Sequence, residues 1–441
     1  MILPRFAPSL VFAAFAASAF AETVKDREGA VRQDRVAMEK DARWLYNDFE
    51  RGFAEAKRSG KPLLVVLRCV PCLACAGLDA SVLLQPTLAP LLDQFICVRV
   101  INANALDLAR FQFDYDLSFS TMFFNGDGTV YGRFGSWSHQ KNASSDDTAS
   151  YQAALEGALT IHRGYPANKA ALAGKQGAPT PFKTPLEMPE LAGKYGRELD
   201  WEGKVVQSCV HCHQIGDALR ASFREARKPL PSDLIFPMPA PESLGLTLAA
   251  DQIARVTAVS PASAAAEAGI QAGDDFVTVD GQPLISIADF SWALHRAPST
   301  GSLAAVVKRS GGQKGVQLRL ADGWRAKADI SRRVGTWPMR AMATGGLLLE
   351  EFPDSMRQRR GLGAGSMALL VKHVGQYGKH AAGKNAGFQK DDLIVDIDGI
   401  TSRMTEGEVI GHLLQKRQPG DRVKVAVLRG TERVQLTLPM Q

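Results

Sequence analysis

The back half of the chain contains one pattern written twice, and that repeat constrains the fold more than any other feature. Residues 268–281 read AGIQAGDDFVTVDG, and residues 386–399 read AGFQKDDLIVDIDG. The two runs align without gaps at an offset of 118 (386 − 268), and Val316-Gln317-Leu318 and Val434-Gln435-Leu436 keep it. Self-similarity of this kind means that one supersecondary unit occurs twice. Each copy predicts a short helix after its Ala-Gly pair, a strand ending in Asp-Gly, a later helix (287–295 and 405–416) and a final strand pair.

At 441 residues there is room for about three domains, so the repeat leaves half the chain for something else. The net charge of +6 is mild and no basic block occurs, which argues against nucleic-acid binding. Met1–Arg5 is a short basic start, residues 6–20 are apolar, and Ala19-Phe20-Ala21 is a small-x-small cleavage signature. We read residues 1–21 as a secretory signal peptide, too short for a stable span. No later run is apolar enough to cross a bilayer, so the expected location is periplasmic or secreted, with no integral membrane segment after cleavage.

Six cysteines, Cys69, Cys72, Cys75, Cys97, Cys209 and Cys212, are few and clustered, a distribution that points to chemistry rather than to a stapled scaffold. Cys209-Val210-His211-Cys212-His213 is the spacing for covalent haem c: two thiols for thioether bonds and His213 as proximal iron ligand. A zinc site would want further Cys or His close by. Met238, held in Phe236-Pro237-Met238-Pro239, is the best-placed sixth ligand, with Met188 and His162 as other candidates. Residues 191–240 are therefore read as a small helical cytochrome c-like segment, with Gln214–Lys228 helical. The stretch before it, 166–190, is rich in Ala, Gly, Pro and Lys and reads as a linker.

Toward the front, residues 31–61 read as a helix and Leu63–Leu67 as a buried strand. Cys69, Cys72 and Cys75 follow, then a helix-like segment carrying Asp79. A strand, then CxxC, then a helix places a thiol at a helix N-terminus, where its pKa falls. Phe119–Phe124 and Thr129–Phe134 read as a hairpin around Asn125-Gly126-Asp127-Gly128. Cys97, on an apolar strand, reads as a core residue.

With Lys61-Pro62-Leu63-Leu64-Val65-Val66 leading into the cysteines and the late hairpin, residues 30–165 resemble the thioredoxin fold. The resemblance implies Cys72 as attacking and Cys75 as resolving thiol, with Cys69 an alternative partner of Cys72. Ser120-Thr121 stands where that family has cis-Pro-Thr, so a trans peptide is expected. The repeated module is similar to bacterial PDZ domains, at 241–325 and 345–440. There Ser243-Leu244-Gly245-Leu246 matches the carboxylate-binding loop, implying peptide capture at Leu244, Gly245 and Leu246. Arg360-Gly361-Leu362-Gly363 is the nearest counterpart in the second copy.

The whole arrangement resembles the exported thioredoxin-like/PDZ proteins, some of which use selenocysteine in the thiol motif. The expected fold class is multidomain α/β and α+β: a thioredoxin-like domain, a small helical haem c segment and two PDZ domains. The expected function is thiol-disulfide exchange and electron transfer, with the PDZ copies holding a protein or peptide partner. A non-enzymatic haem sensor or PDZ adaptor is the alternative. No Gly-x-Ser-x-Gly motif occurs, so proteolysis is not expected.

Overall fold

The computed structural model describes residues 26–71, 82–83, 85–135 and 145–441. Residues 1–21, expected to be a signal peptide, and the expected thiols Cys72 and Cys75, with Asp79, lie outside the described residues.

The front sheet has five strands, β1 (Trp44–Tyr46), β2 (Leu63–Arg68), β3 (Ile96–Val100), β4 (Phe119–Phe124) and β5 (Val130–Phe134), in the order β1-β3-β2-β4-β5. β1 and β2 run parallel to β3, and β4 antiparallel to β2. Every residue of β2 is buried, as a central strand covered on both faces requires. The single helix expected over 31–61 is instead two, α1 (Arg27–Lys40) and α2 (Phe49–Ser59), split by β1. The break has a local cause. Asn47 takes a left-handed φ of 56°, and the Asp48 carboxylate caps α2 by accepting from the Arg51 N–H. A long helix, α3 (Ser145–Arg163), contributes Tyr151, Ala154, Leu155 and Ala158 to the core on one sheet face.

The stretch 166–190 is packed rather than slack. Leu172, Lys175 and Met188 are fully buried, and the Lys175 ammonium pairs with Asp289 at 2.6 Å. An Ala/Gly/Pro composition reads as a linker because it lacks a period, yet small residues also let a backbone pack closely. Helix α4 (Cys212–Glu225) begins inside the cysteine motif, where Gln214 Oε1 accepts from the His211 N–H.

The first repeat unit comprises β6 (Leu246–Leu248), β7 (Val256–Val259), β8 (Asp275–Val279), β9 (Gln282–Pro283), helix α5 (Ile287–Arg296), β10 (Gly301–Arg309) and β11 (Gly312–Leu320). After helix α6 (Thr336–Thr344), the second contains β12 (Leu347–Glu351), β13 (Leu369–Val374), β14 (Leu393–Ile397), helix α7 (Glu406–Lys416), β15 (Arg422–Arg429) and β16 (Glu432–Pro439), whose strands form one antiparallel sheet.

The repeat is reproduced in detail. Gly269 and Gly387, Gly273 and Asp391, Asp280 and Asp398, and Gly281 and Gly399 are all left-handed. In each unit a buried aspartate accepts from a Gln N–H three residues earlier and pairs with a strand arginine, which also donates to the carbonyl of the left-handed glycine. The residues are Asp274, Gln271, Arg309 and Gly269 in the first, and Asp392, Gln389, Arg429 and Gly387 in the second.

Candidate functional site

Cys69 is the first residue beyond β2, and its N–H donates to Ser118 O beside the start of β4. Arg68, buried, donates through Nη1 to the Cys69 carbonyl. The Cys69 Sγ lies 3.2 Å from Nδ1 of His211. The expected haem motif therefore sits against the sulfur at the mouth of the thioredoxin-like sheet. Cys212 packs into the apolar cluster containing Leu67, Phe113 and Phe124, and Cys209 into that of Val31, Ile101 and Val205. Cys69, Cys209, Cys212 and His211 line one cavity of about 20 Å³, room for about one water.

Asn104 fixes this seam. It is fully buried; its Oδ1 accepts from the Val210 N–H at 2.7 Å, and its Nδ2 donates to the carbonyls of Ser208 at 2.8 Å and Gly196 at 2.7 Å. The backbone on both sides of Cys209 is thus held from the thioredoxin-like domain. Nothing in the Asn102-Ala103-Asn104 run marks Asn104 out, whereas His211 was visible as the histidine between the two cysteines.

Burial decides the electrostatics. It pushes the Cys209 thiol up to about 11 and raises that of Cys212, with the charges of Cys69 and Cys209 adding to the latter shift. Burial and the neighbouring His213 lower the pKa of His211. A neutral imidazole beside a thiol can take its proton.

Haem c requires both thiols and the proximal imidazole to face one porphyrin. Here Cys209 and Cys212 turn into the one-water cavity, while His213 stays outside its lining, 37% exposed, with Nδ1 3.3 Å from Asp217. None of the expected sixth ligands lines that cavity. Met238 is buried elsewhere, its carbonyl accepting from Arg333; Met188 is buried with Val210 and Ile215; and His162 contacts Tyr131 and the Gly60 carbonyl. As folded, these residues do not fit a porphyrin.

In the first repeat unit, Leu244 and Leu246 are buried, and Gly245 has φ +83°, where a Cβ would stand 2.2 Å from that of Ser263. The Gly245 N–H is already donated to Glu242 O. Between this loop, β6 and α5 opens a cavity of about 370 Å³, lined by Ser243, Leu248 and Ser291 and also by Ser120, Arg133 and Phe134 of the front sheet. Ser120 sits in β4 opposite Leu67, and its peptide is trans.

The second unit differs. The turn before its first strand is Gly345-Gly346, both left-handed, whereas Arg360–Gly363 follows a helix between β12 and β13. The space between β12 and α7 is filled by the chain itself. Met339 and Ala343 of α6 pack with Leu347, Leu349, Val409 and Leu413, Arg340 pairs with Glu406 at 2.6 Å, and Glu406 accepts from the Leu349 N–H.

The thioredoxin-like family model matches residues 44–126, and the PDZ domain family model matches residues 255–309. The chain therefore contains a thioredoxin-like domain and a PDZ domain, a mixed α/β architecture that combines a redox-type unit with a protein-interaction unit. No curated protein matches it. Among solved structures, a serine endoprotease from Yersinia pestis aligns at 28% identity over 17% of this chain and 27% of that one, with a TM-score of 0.16. The HtrA-type protease AlgW with a decapeptide aligns at 18% identity over 31% of this chain and 40% of that one, with a TM-score of 0.21. The chain thus spans 27% and 40% of the length of these two structures. No helix among the described residues is long and apolar enough to cross a membrane.

Proposed function

We propose that this chain is an exported thiol-disulfide oxidoreductase whose attacking sulfur is Cys69 and whose first PDZ unit holds the partner polypeptide. The observation that carries this reading is the 3.2 Å contact of Cys69 Sγ with His211 Nδ1 at the end of the central strand. A neutral imidazole at that distance can accept the thiol proton as the sulfur attacks, which delivers the thiolate that disulfide exchange uses. Cys72 and Cys75 then supply further thiols of the same motif. A partner's C-terminal segment lies between β6 and α5, in a cavity whose other wall is the thioredoxin-like sheet. Residues 345–440 are a second PDZ domain, supported by the shared left-handed positions and the Asp–Arg pairs. Its groove is taken by α6, which leaves partner capture to the first. Export rests on the pattern of residues 1–21.

Turnover of a disulfide peptide by the full chain, with dithiothreitol as reductant, tests the reading. Cys69→Ser is expected to abolish it; unchanged turnover would refute the assignment. Leu248→Lys is expected to weaken capture of a C-terminal peptide about tenfold, roughly 1.4 kcal/mol, without altering turnover of a small disulfide. A haem c electron carrier is the second reading, favoured by the Cys209-x-x-Cys212-His213 spacing, and a pyridine haemochrome spectrum of the exported chain tests it.

A further inference from the structure

We infer that Cys209 and Cys212 form a second dithiol that takes over the disulfide from Cys69, so that the docked cysteine motif is an internal redox partner of the thioredoxin-like domain. This inference rests on Cys69 being the exchanging sulfur.

Three observations converge. The three cysteines line one cavity with room for about one water, so their side chains border the same small space. The motif is built into the domain it faces, Cys212 in one of its apolar clusters and Cys209 with its Sγ 3.3 Å from Ile101 O, just beyond β3. Asn104 clamps the backbone on either side of Cys209, which fixes that residue's place in the seam. A chain segment held this way presents its thiols at high effective concentration, and that compensates for their burial.

The steps balance as follows. The Cys69 thiolate attacks a partner disulfide, forming a mixed disulfide and expelling one partner thiolate. Cys212 then attacks the Cys69 sulfur, expelling the second partner thiolate and forming the Cys69–Cys212 bond. Cys209 attacks Cys212, closing the Cys209–Cys212 disulfide and releasing Cys69 as thiolate. Two electrons pass from the 209/212 dithiol to the partner disulfide, which leaves as a dithiol after taking up the two protons the dithiol gives up.

The test uses the full exported chain, reduced, exposed to oxidised glutathione, acid-quenched, alkylated and mapped by non-reducing peptide mass spectrometry. In the wild type the expected product is a Cys209–Cys212 disulfide with Cys69 alkylated. In Cys209→Ser the last step is blocked, and a Cys69–Cys212 cross-link becomes the dominant species. The wild-type map stands alone should the variant fold poorly. A lasting glutathione adduct on Cys69, or Cys69 joined to Cys72 or Cys75 with Cys209 and Cys212 alkylated, overturns the relay but leaves exchange at Cys69 standing. Cys69 alkylated with no disulfide or adduct at any of the three positions overturns both. A porphyrin mass on the 209–212 peptide overturns the relay.

Discussion

Asn104 and the buried thiols show how single side chains set the chemistry of the seam. Replacing Asn104 by alanine strands the Val210 N–H and the Ser208 carbonyl inside the protein. Each orphaned group costs about 1–3 kcal/mol, so Asn104→Ala is expected to lower the denaturant midpoint of the full chain and to speed exchange of the amide hydrogens in peptides covering 205–215. The thiols make a second prediction. Burial pushes Cys97 up to about 12 and Cys209 up to about 11. Only the thiolate reacts with iodoacetamide. Both should therefore resist alkylation in the folded chain at pH 8, and the Cys209 rate should climb roughly tenfold per pH unit toward about 11. Rapid alkylation of Cys209 at pH 8 would mean that the seam opens.

At the scale of elements, the repeat units share one ion pair, repeated at equivalent positions. In the first, the hydrogen bond from Arg309 holds the Asp274 carboxyl below the usual carboxylate range, against the opposing effect of burial. A depressed folded pKa contributes stability above the unfolded value and loses it as pH falls through the folded one. The chain should accordingly lose stability on acidification below about pH 4, and Arg309→Gln should flatten that acid limb. Thermal unfolding between pH 6 and pH 3 reads the difference. The second unit shows how one element can be diverted. α6 occupies the groove beside β12, and Glu406 already accepts the Leu349 N–H that an added strand would need.

Across the whole molecule, buried polar contacts tie the parts together. Asp289 at the start of α5 accepts from Lys175 and from the Arg133 N–H of β5, and Trp292 Nε1 donates to Gly174 O. Arg333 joins Asp114 and Asp116 of the thioredoxin-like domain to the segment before α6. Arg224 at the end of α4 donates to Arg417 O and Gln441 O of the last unit. Breaking a buried pair on one side leaves an uncompensated charge, so Lys175→Met should cost about 3–5 kcal/mol. Lys175→Met with Asp289→Asn should cost less than the single change, because the charge is gone while an oxygen still accepts from the backbone. Urea unfolding of the three proteins checks the order.

What the sequence determined by itself is what short-range physics writes. Alternating and apolar runs marked β2 and the β4–β5 hairpin, Asp-Gly turns marked both repeat units, and cysteine spacing marked the two thiol-bearing segments. The helix over 31–61 was misjudged because one left-handed asparagine and one capping aspartate outweighed its period. Composition reads 166–190 as a linker because close packing of this stretch leaves no periodic trace. Tertiary structure alone decided that His211 meets Cys69 across 142 residues, that Cys209 and Cys212 line a one-water cavity with it, and that the groove of the first repeat unit is open while that of the second is filled. Such pairings are set by which buried faces and polar clamps fit one another, a property of surfaces assembled from distant segments that no local window contains.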